Sequence, residues 1–107
     1  MKQIINHINK CFENRIRLGI MAALMVNDSI DFKPLKQLLG ATDGNLSSNI
    51  STLEQLGYVR VKKRFIAKTT HTSYSITKVG RKAFQDHLDA LESIIRGVTP
   101  NVERNNG

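Results

Sequence analysis

Apolar residues recur at helical spacing in the first part of the chain. Between residues 13 and 26 they predict a largely buried helix, with apolar positions at Ile16, Ile20 and Leu24 and, around the cylinder, at Leu18, Met21 and Met25. Pro34 suits the first position of a second, short helix, because its missing N–H is not needed there. Gly40 is placed to end that helix, and Asp31-Phe32 before it is typical of a brief extended segment.

A third helix is predicted after a turn of only a few residues. Thr42 or Asp43 can accept hydrogen bonds from the free N–H groups of its first turn, and Gly57 ends it. One apolar stripe is predicted to face inward: Leu46, Ile50, Leu53 and Leu56. The opposite side carries small and uncharged residues: Gly44, Ser47, Ser48, Ser51, Thr52 and Gln55.

The pattern then changes to the alternation typical of β-strands. A strand predicted over residues 58–65 has Val59 and Val61 alternating with basic residues. A second alternating run marks its partner: Thr72, Tyr74 and Ile76. Because a polar segment at 66–71 lies between the two runs, we predict a β-hairpin with a long tip.

One more amphipathic run follows the hairpin. Thr77 can cap a final helix over residues 78–96, with apolar positions along one side at Val79, Phe84, Leu88, Leu91 and Ile95. The order helix, helix, helix, hairpin, helix, with a tight turn between the second and third helices, is that of a winged helix-turn-helix domain. The predicted fold class is therefore mainly α with a small β-hairpin (α+β).

The outer face of the third helix indicates a function. A helix that enters the major groove of DNA, ~12 Å wide, reads base edges and phosphates, and short polar side chains let its backbone come close. A merely solvated face usually favours Lys, Glu and Gln, because Ser, Thr and Asn lower helix propensity. We interpret this face as a DNA-reading surface, with an ordinary solvent-facing helix as the alternative.

The charge distribution supports this interpretation. The formal net charge is +7, which favours anionic partners. Between Glu54 and Asp86 the chain has no acidic residue and eight basic ones: Arg60, Lys62, Lys63, Arg64, Lys68, Lys78, Arg81 and Lys82. A hairpin carrying such charges could bind backbone phosphates and reach an adjacent minor groove. An alternative for the strand lysines is a charged strand edge that resists aggregation. Binding to a membrane surface usually requires a basic amphipathic helix, whereas the basic residues here lie mainly on the predicted hairpin.

Several fragments carry a resemblance to a known family. They are RLGIMAAL at 17–24, DFKPLKQLLGATDGNLSSNISTLEQLGYV at 31–59, a K-x-F pattern at 63–65, TSYSIT at 72–77 and GRKAF at 80–84. In their combined spacing they resemble the MarR-like group of small winged-helix transcriptional regulators over about residues 14–85. The resemblance implies a cytoplasmic homodimer that binds operator DNA, with Asn45–Thr52 as the recognition helix and Lys63–Thr72 as the wing.

Both ends of the chain carry further apolar stripes. They predict a dimer interface formed by Ile4, Ile5, Ile8 and Phe12 at the amino terminus and by Phe84, Leu88, Leu91 and Ile95 in the last helix. An intramolecular core role is the alternative for either stripe. The predicted organisation is an N-terminal dimerisation segment at 1–12, the winged helix-turn-helix domain at 13–77, a dimerisation helix at 78–96 and a flexible tail at 97–107.

The chain offers little for catalysis or metal binding. No His or Cys has an acid–base partner in a recognisable arrangement, so we expect neither an enzyme nor a cofactor. The single cysteine, Cys11, excludes an intramolecular disulfide, suits a reducing cytoplasm, and lacks a neighbour that would make it a redox switch. A metal-sensing repressor with a site at the dimer interface is an alternative, with these candidate ligands: His7, Cys11, Asp86, His87 and Asp89.

The sequence thus predicts a homodimeric regulator of transcription, by default a repressor, that binds double-stranded DNA at an inverted-repeat operator and no membrane. A protein–protein interaction module is the main alternative from another class. Control would come from an unidentified small-molecule effector, a partner protein or the concentration of the regulator. The predicted DNA-binding residues are Thr42, Asn45, Ser47, Ser48, Ser51 and Thr52 in the third helix and Lys62, Lys63, Arg64, Lys68, Thr70 and His71 in the hairpin.

Overall fold

A computed structural model of the chain describes residues 5–97, so the predictions for Ile4 and for the tail beyond Gly97 lie outside the described residues. The elements in chain order are a 3-10 helix (Lys10–Glu13), α1 (Arg15–Met25), β1 (Ile30–Asp31), α2 (Phe32–Leu39), α3 (Asp43–Gln55), β2 (Val59–Ile66), β3 (Thr69–Ile76) and α4 (Lys78–Arg96). This confirms the predicted winged helix-turn-helix fold. No helix in residues 5–97 is long and apolar enough to cross a membrane.

The second helix begins earlier than predicted. α2 starts at Phe32 with Asp31 at its N-cap, so Pro34 is its third residue and not its first. Proline fits there because the N–H groups of a helix's first turn have no partner within the helix. The extended segment is Ile30-Asp31, which forms β1 beside β3. Gly40 ends α2 as predicted, in a left-handed conformation with φ of 62°.

The tip of the β2–β3 hairpin is shorter than predicted. Ile66 still belongs to β2 and Thr69 already belongs to β3, so the turn is Ala67-Lys68 alone. Both turn residues have positive φ, 50° and 67°, as in the turn that matches the twist of a two-residue hairpin. The prediction of a long tip was wrong because an exposed hairpin can pair its polar residues through backbone hydrogen bonds without any apolar partner.

The core lies between the helices and the inner face of the sheet, whose strand order is β1-β3-β2. Its largest fully buried side chains are Ile20, Met21, Leu24, Leu35, Leu46 and Leu53. The sheet contributes Val59 and Tyr74, and α4 contributes Phe84. The inward orientation predicted for Leu56 was wrong: this residue is 48% exposed, because α3 has ended at the preceding residue and the chain turns at Gly57.

The start of α4 is attached to the turn between α3 and β2. The Thr77 hydroxyl accepts a hydrogen bond from the Gly80 N–H at 2.9 Å and donates one to the Gly57 carbonyl at 2.6 Å. Gly80 lies so close to Tyr58 that a Cβ at this position would overlap the Tyr58 carbonyl. This junction holds the base of the hairpin against the end of α3.

Candidate nucleic-acid interface

The turn between α2 and α3 is stabilised by one hydrogen bond at the end of α2, one at the start of α3, and an ion pair between the two helices. The Ala41 N–H donates to the Lys36 carbonyl at 3.2 Å and so ends α2. The Thr42 hydroxyl accepts from the Asn45 N–H at 3.1 Å and caps α3. Lys36 Nζ lies 2.7 Å from a carboxylate oxygen of Asp43, the first residue of α3. The direction of α3 is therefore set within the protein itself.

The outer face of α3 is exposed, as its polar composition predicted. Its exposed residues are Gly44, Asn45, Ser47, Ser48, Ser51 and Gln55. Thr52 is half-buried, and its hydroxyl donates to the Ser48 carbonyl at 3.2 Å. At about 100° per residue, Ser48 and Ser51 lie near the centre of this face, whereas Asn45 and Thr52 lie at its border. The serines are accessible to a ligand, and their contacts with DNA stay a prediction.

Asn49, a buried polar residue on the inner side of α3, bonds to Asn45 at the border of this face and was missed by the sequence analysis. Asn49 is 6% exposed and lies within the apolar stripe of α3. Its Oδ1 accepts from Arg17 Nη1 at 2.8 Å, and its Nδ2 donates to Asn45 Oδ1 at 2.7 Å. Arg17 Nε also donates to the Cys11 carbonyl at 2.7 Å. The available signal was a lone asparagine among inward-facing leucines, four residues after Asn45.

The predicted basic residues of the hairpin lie on two faces and at its tip. One face carries Lys62 and Arg64 with Ser73 and His71 paired opposite them, and the other carries Lys63 and Phe65 with Thr72 and Thr70 paired opposite them. Lys68 lies in the turn. The four lysines and arginines among them are exposed, and within residues 5–97 none of the four makes an ion pair, whereas His71 is half-buried. These four cations are therefore available to external anions. Because they lie on two faces of the hairpin, a single anionic surface would not contact all of them.

Two more exposed hairpin residues were not among the predicted site residues. Arg60 lies opposite Ser75 and two residues before Lys62, so it extends the same cationic row. Phe65 is 74% exposed near the tip. The alternation of basic residues with Val59 and Val61 could have added Arg60 to the site. The family resemblance placed Phe65 in the wing, but the alternation of apolar residues along β2 does not distinguish it from an aromatic residue of the core.

The residues predicted for the dimer interface divide between core and surface. Phe12 and Phe84 are each 3% exposed, and their rings pack edge to face at 5.1 Å. They fill the intramolecular core, so neither side chain is presented to a second chain. The other predicted residues are exposed or half-buried: Ile5, Leu88 and Ile95 are exposed, and Ile8 and Leu91 are half-buried. An interface through this second group stays a prediction.

His87, a candidate metal ligand, has a partner within the chain. It is 4% exposed, and its Nδ1 accepts from the Asn9 N–H at 3.1 Å. Burial lowers the pKa of His87, and the charge of Glu13 only partly opposes this effect. The neutral ring therefore carries its proton on Nε2.

The other candidate metal ligands are dispersed. Asp86 forms an ion pair with Lys82, and the Asp89 carboxylate accepts from Gln85 at 3.0 Å. Burial raises the pKa of the Cys11 thiol more than the neighbouring arginine lowers it, so the thiolate is disfavoured. In the part of the chain that the structure describes, no three His, Cys, Asp or Glu side chains are grouped so as to hold a metal ion.

Comparison with known sequences agrees with this architecture. A family model described as a winged helix DNA-binding domain matches residues 16–95. The chain is also 37% identical over 89 residues to the uncharacterised protein MJ0432 of Methanocaldococcus jannaschii. That alignment covers 83% of this chain and 97% of the relative.

Two solved structures show the same arrangement of helices and wing. The transcriptional regulator homologue of Pyrococcus horikoshii OT3 matches with a TM-score of 0.79 and 33% identity, over 90% of this chain and 93% of that one. The MarR family regulator Sco3205 of Streptomyces coelicolor, solved in complex with DNA, matches with a TM-score of 0.64 and 18% identity, over 99% and 74% of the two chains. At that lower identity the second likeness concerns the fold alone.

Proposed function

This chain belongs to the family of winged helix DNA-binding domains, and from that premise we propose that it is a sequence-specific transcriptional regulator. It binds double-stranded DNA as a homodimer in this proposal. The resemblance to MarR-like regulators and the similar solved structures support the same function. In this proposal α3 is the recognition helix and enters the major groove, while the hairpin is the wing and contacts backbone phosphates and the minor groove. Repression, by blocking access of the polymerase to the operator, is the proposed outcome.

The outer face of α3 is the observation that carries this proposal. Ser47, Ser48 and Ser51 are exposed, short and able both to donate and to accept hydrogen bonds. Such side chains let a helix backbone approach base edges closely. They also lower helix propensity, a cost that a helix face selected only for contact with water would avoid.

The wing supplies the electrostatic part of the proposed affinity. α3 ends at Gln55 and β2 begins at Val59, so the base of the wing lies close to the end of the recognition helix. Each phosphate that a wing cation neutralises releases counterions, which adds about −0.9 to the slope of log K against log salt concentration. The proposed complex should therefore weaken steeply as salt increases.

A homodimer would present two recognition helices to one face of the DNA. Related by a two-fold axis, they would read major grooves ~34 Å apart in an inverted repeat. Ile95 and Ile5, which are 82% and 52% exposed, support an interface between the terminal elements, because burial of such side chains in a second copy is favourable. Leu91, which is half-buried and lies one helical turn before Ile95 in α4, would extend the surface around Ile95.

The direct test places negative charge on the recognition face. Ser48→Glu combined with Thr52→Glu should abolish operator binding, because two carboxylates would face the phosphates and base acceptors of the groove. Binding is measured by fluorescence anisotropy on a duplex obtained by selecting bound DNA from a random pool at a stated salt concentration. Circular dichroism should show an intact helical fold.

A matched control adds the same charge elsewhere. Ala22 on α1 and Ser29 before β1 are exposed and lie outside α3 and the wing. Ala22→Glu combined with Ser29→Glu should reduce affinity only by the modest effect of net charge. Equal affinities for the two double variants would show that the outer face of α3 does not read DNA.

A further inference from the structure

A series of hydrogen bonds with a single direction connects α1 to the border of the recognition face. Arg17 Nη1 donates to Asn49 Oδ1 at 2.8 Å, and Asn49 Nδ2 donates to Asn45 Oδ1 at 2.7 Å. Asn49 Nδ2 also donates to the backbone carbonyl of Asn45 at 2.8 Å. We call these three residues the relay.

The direction of the relay follows from the groups at its two ends. A guanidinium can only donate and a backbone carbonyl can only accept, so Asn49 must turn its oxygen to Arg17 and its NH₂ group to Asn45. The side-chain atom of Asn45 that meets this NH₂ group must then be its oxygen. The NH₂ group of Asn45, with two N–H donors, faces away from Asn49.

The NH₂ group of Asn45 is available to a ligand. Asn45 is exposed and is the third residue of α3. Its backbone N–H is already used by the Thr42 hydroxyl, and within residues 5–97 its Nδ2 makes no hydrogen bond. The relay therefore ends in an exposed residue whose side-chain donors have no partner among residues 5–97, at the border of the outer face that carries the serines.

We propose that Arg17 and Asn49 are positioning residues that hold Asn45 as a hydrogen-bond donor toward the DNA, so that it selects an acceptor on the duplex. This inference rests on the proposed function. The acceptor is guanine O6, the major-groove acceptor that adenine lacks, or a phosphate oxygen. An unrestrained asparagine reads adenine by donating to N7 while it accepts from N6. The relay turns the oxygen that would do the accepting toward buried Asn49 and so away from a base edge, although this one hydrogen bond uses only one of its two lone pairs.

Because Asn49 is buried, the relay favours one orientation of the Asn45 side-chain amide. Asn49 is 6% exposed, and no buried side-chain N or O atom of the described residues lacks a partner. Turning the Asn45 amide over would set its NH₂ group against that of Asn49 and leave a buried donor unsatisfied, which disfavours the turned state by roughly tenfold or more. At a contacted base pair, guanine is then preferred to adenine, whose N6 amino group would face the Asn45 donor.

The test measures base preference and not affinity alone. On the selected operator, each guanine is replaced by adenine in turn, and binding is compared among the wild type, Asn45→Ala and the double variant Arg17→Met, Asn49→Leu. The wild type should prefer guanine at one position by about tenfold, whereas both variants should fall to within about twofold. Ser29→Ala, an exposed position before β1 that lies outside α3, the wing and the relay, is the control and should keep the preference at that position.

A second set of duplexes tests the backbone as the acceptor. Each phosphate is replaced in turn by an uncharged methylphosphonate. A position that weakens the wild type but not Asn45→Ala assigns the acceptor to that phosphate and also supports the donor role of Asn45. If neither set of duplexes separates the wild type from Asn45→Ala, the inference is overturned. Asn45 is exposed, so this comparison holds even where the double variant unfolds.

The remaining outcomes are distinct. If the wild type binds and the double variant folds but loses affinity equally on every duplex, with the same preferences, then Arg17 and Asn49 only support the fold and the inference is wrong. If the wild type binds no duplex, the proposed function itself fails, and this inference fails with it. Thermal unfolding of each variant distinguishes loss of fold from loss of preference.

Discussion

α3, the proposed recognition helix, and the wing are built in opposite ways. α3 packs into the core through its leucines, is capped by Thr42 and is tied to α1 through Asn49. On the wing, every residue from Lys62 to Thr70 is exposed. A preorganised helix can discriminate between sequences, because its donors and acceptors are in place before the DNA arrives. An exposed cationic arm contributes affinity, because charge attracts phosphates without requiring one geometry.

The same difference applies to stability. The outer part of the wing has few buried apolar contacts, so it should open locally at a lower free energy than α3. Substitutions at the wing tip should therefore change affinity and leave global stability nearly unchanged. Substitutions of buried residues in the helices should lower global stability and leave affinity nearly unchanged, unless they alter the outer face of α3.

Among changes outside α3, charge reversal on the wing should have the largest effect on binding. In the triple variant Lys62→Glu, Lys63→Glu, Arg64→Glu, three attractions to phosphates become repulsions, and affinity for any duplex should fall by about 100-fold or more at physiological salt. The salt slope should become shallower by about one for each of these cations that contacts a phosphate. Anisotropy titrations over a series of salt concentrations measure both quantities, and thermal melts should shift little, because these side chains are exposed.

Neutral substitutions sharpen this prediction by separating the two faces of the wing. Lys62→Gln with Arg64→Gln removes charge from one face, whereas Lys63→Gln removes it from the other. Unequal losses of salt slope per charge would identify the face turned to the DNA. Unchanged affinity and slope in the charge-reversed triple variant would instead favour a protein-interaction module over a DNA-binding wing.

Gly80→Ala should have the largest effect on stability. A Cβ at this position would overlap the Tyr58 carbonyl, and a backbone group cannot move aside as a flexible side chain can. We expect a loss of about 2–4 kcal/mol in the free energy of unfolding, measured by urea denaturation. Gly44→Ala is the matched control, because Gly44 lies in α3 with open space around its Cβ position. It should stabilise by about 0.5–1 kcal/mol.

Repetitive patterns made most of the fold predictable from sequence. Apolar spacing and capping residues predicted α4 with the bounds observed, and Thr77 caps it as expected. Thr42, one of the two capping candidates predicted for α3, is its N-cap, and the serines on the outer face are exposed as predicted. These features depend on local backbone geometry, which a few neighbouring residues determine.

The features that sequence analysis missed depend on contacts between distant residues. Arg17 and Asn49 are separated by 32 positions, so the lone asparagine in the apolar stripe of α3 did not show which residue is its partner. Phe12 and Phe84 were assigned to a dimer seam, because an apolar stripe does not show which partner covers it. The two-residue wing turn was missed because neither Ala67 nor Lys68 is a residue that commonly adopts positive φ.

The smallest effect we predict is a pH dependence of stability that comes from the helical body and not from the wing. Burial lowers the pKa of His87 from its ordinary value of 6.5, so below about pH 6.5 the unfolded chain binds more protons than the folded protein. Stability is therefore complete above that pH and decreases as pH falls, by at most about 1.4 kcal/mol per pH unit, until the folded ring is protonated as well. Protonation also removes the acceptor used by the Asn9 N–H. Urea denaturation between pH 7.5 and 5 measures the change in the free energy of unfolding with pH. This slope should be the same in the wild type and in the control His71→Gln, and flatter in His87→Phe. Equal slopes in all three proteins would exclude His87 as the source of the pH dependence.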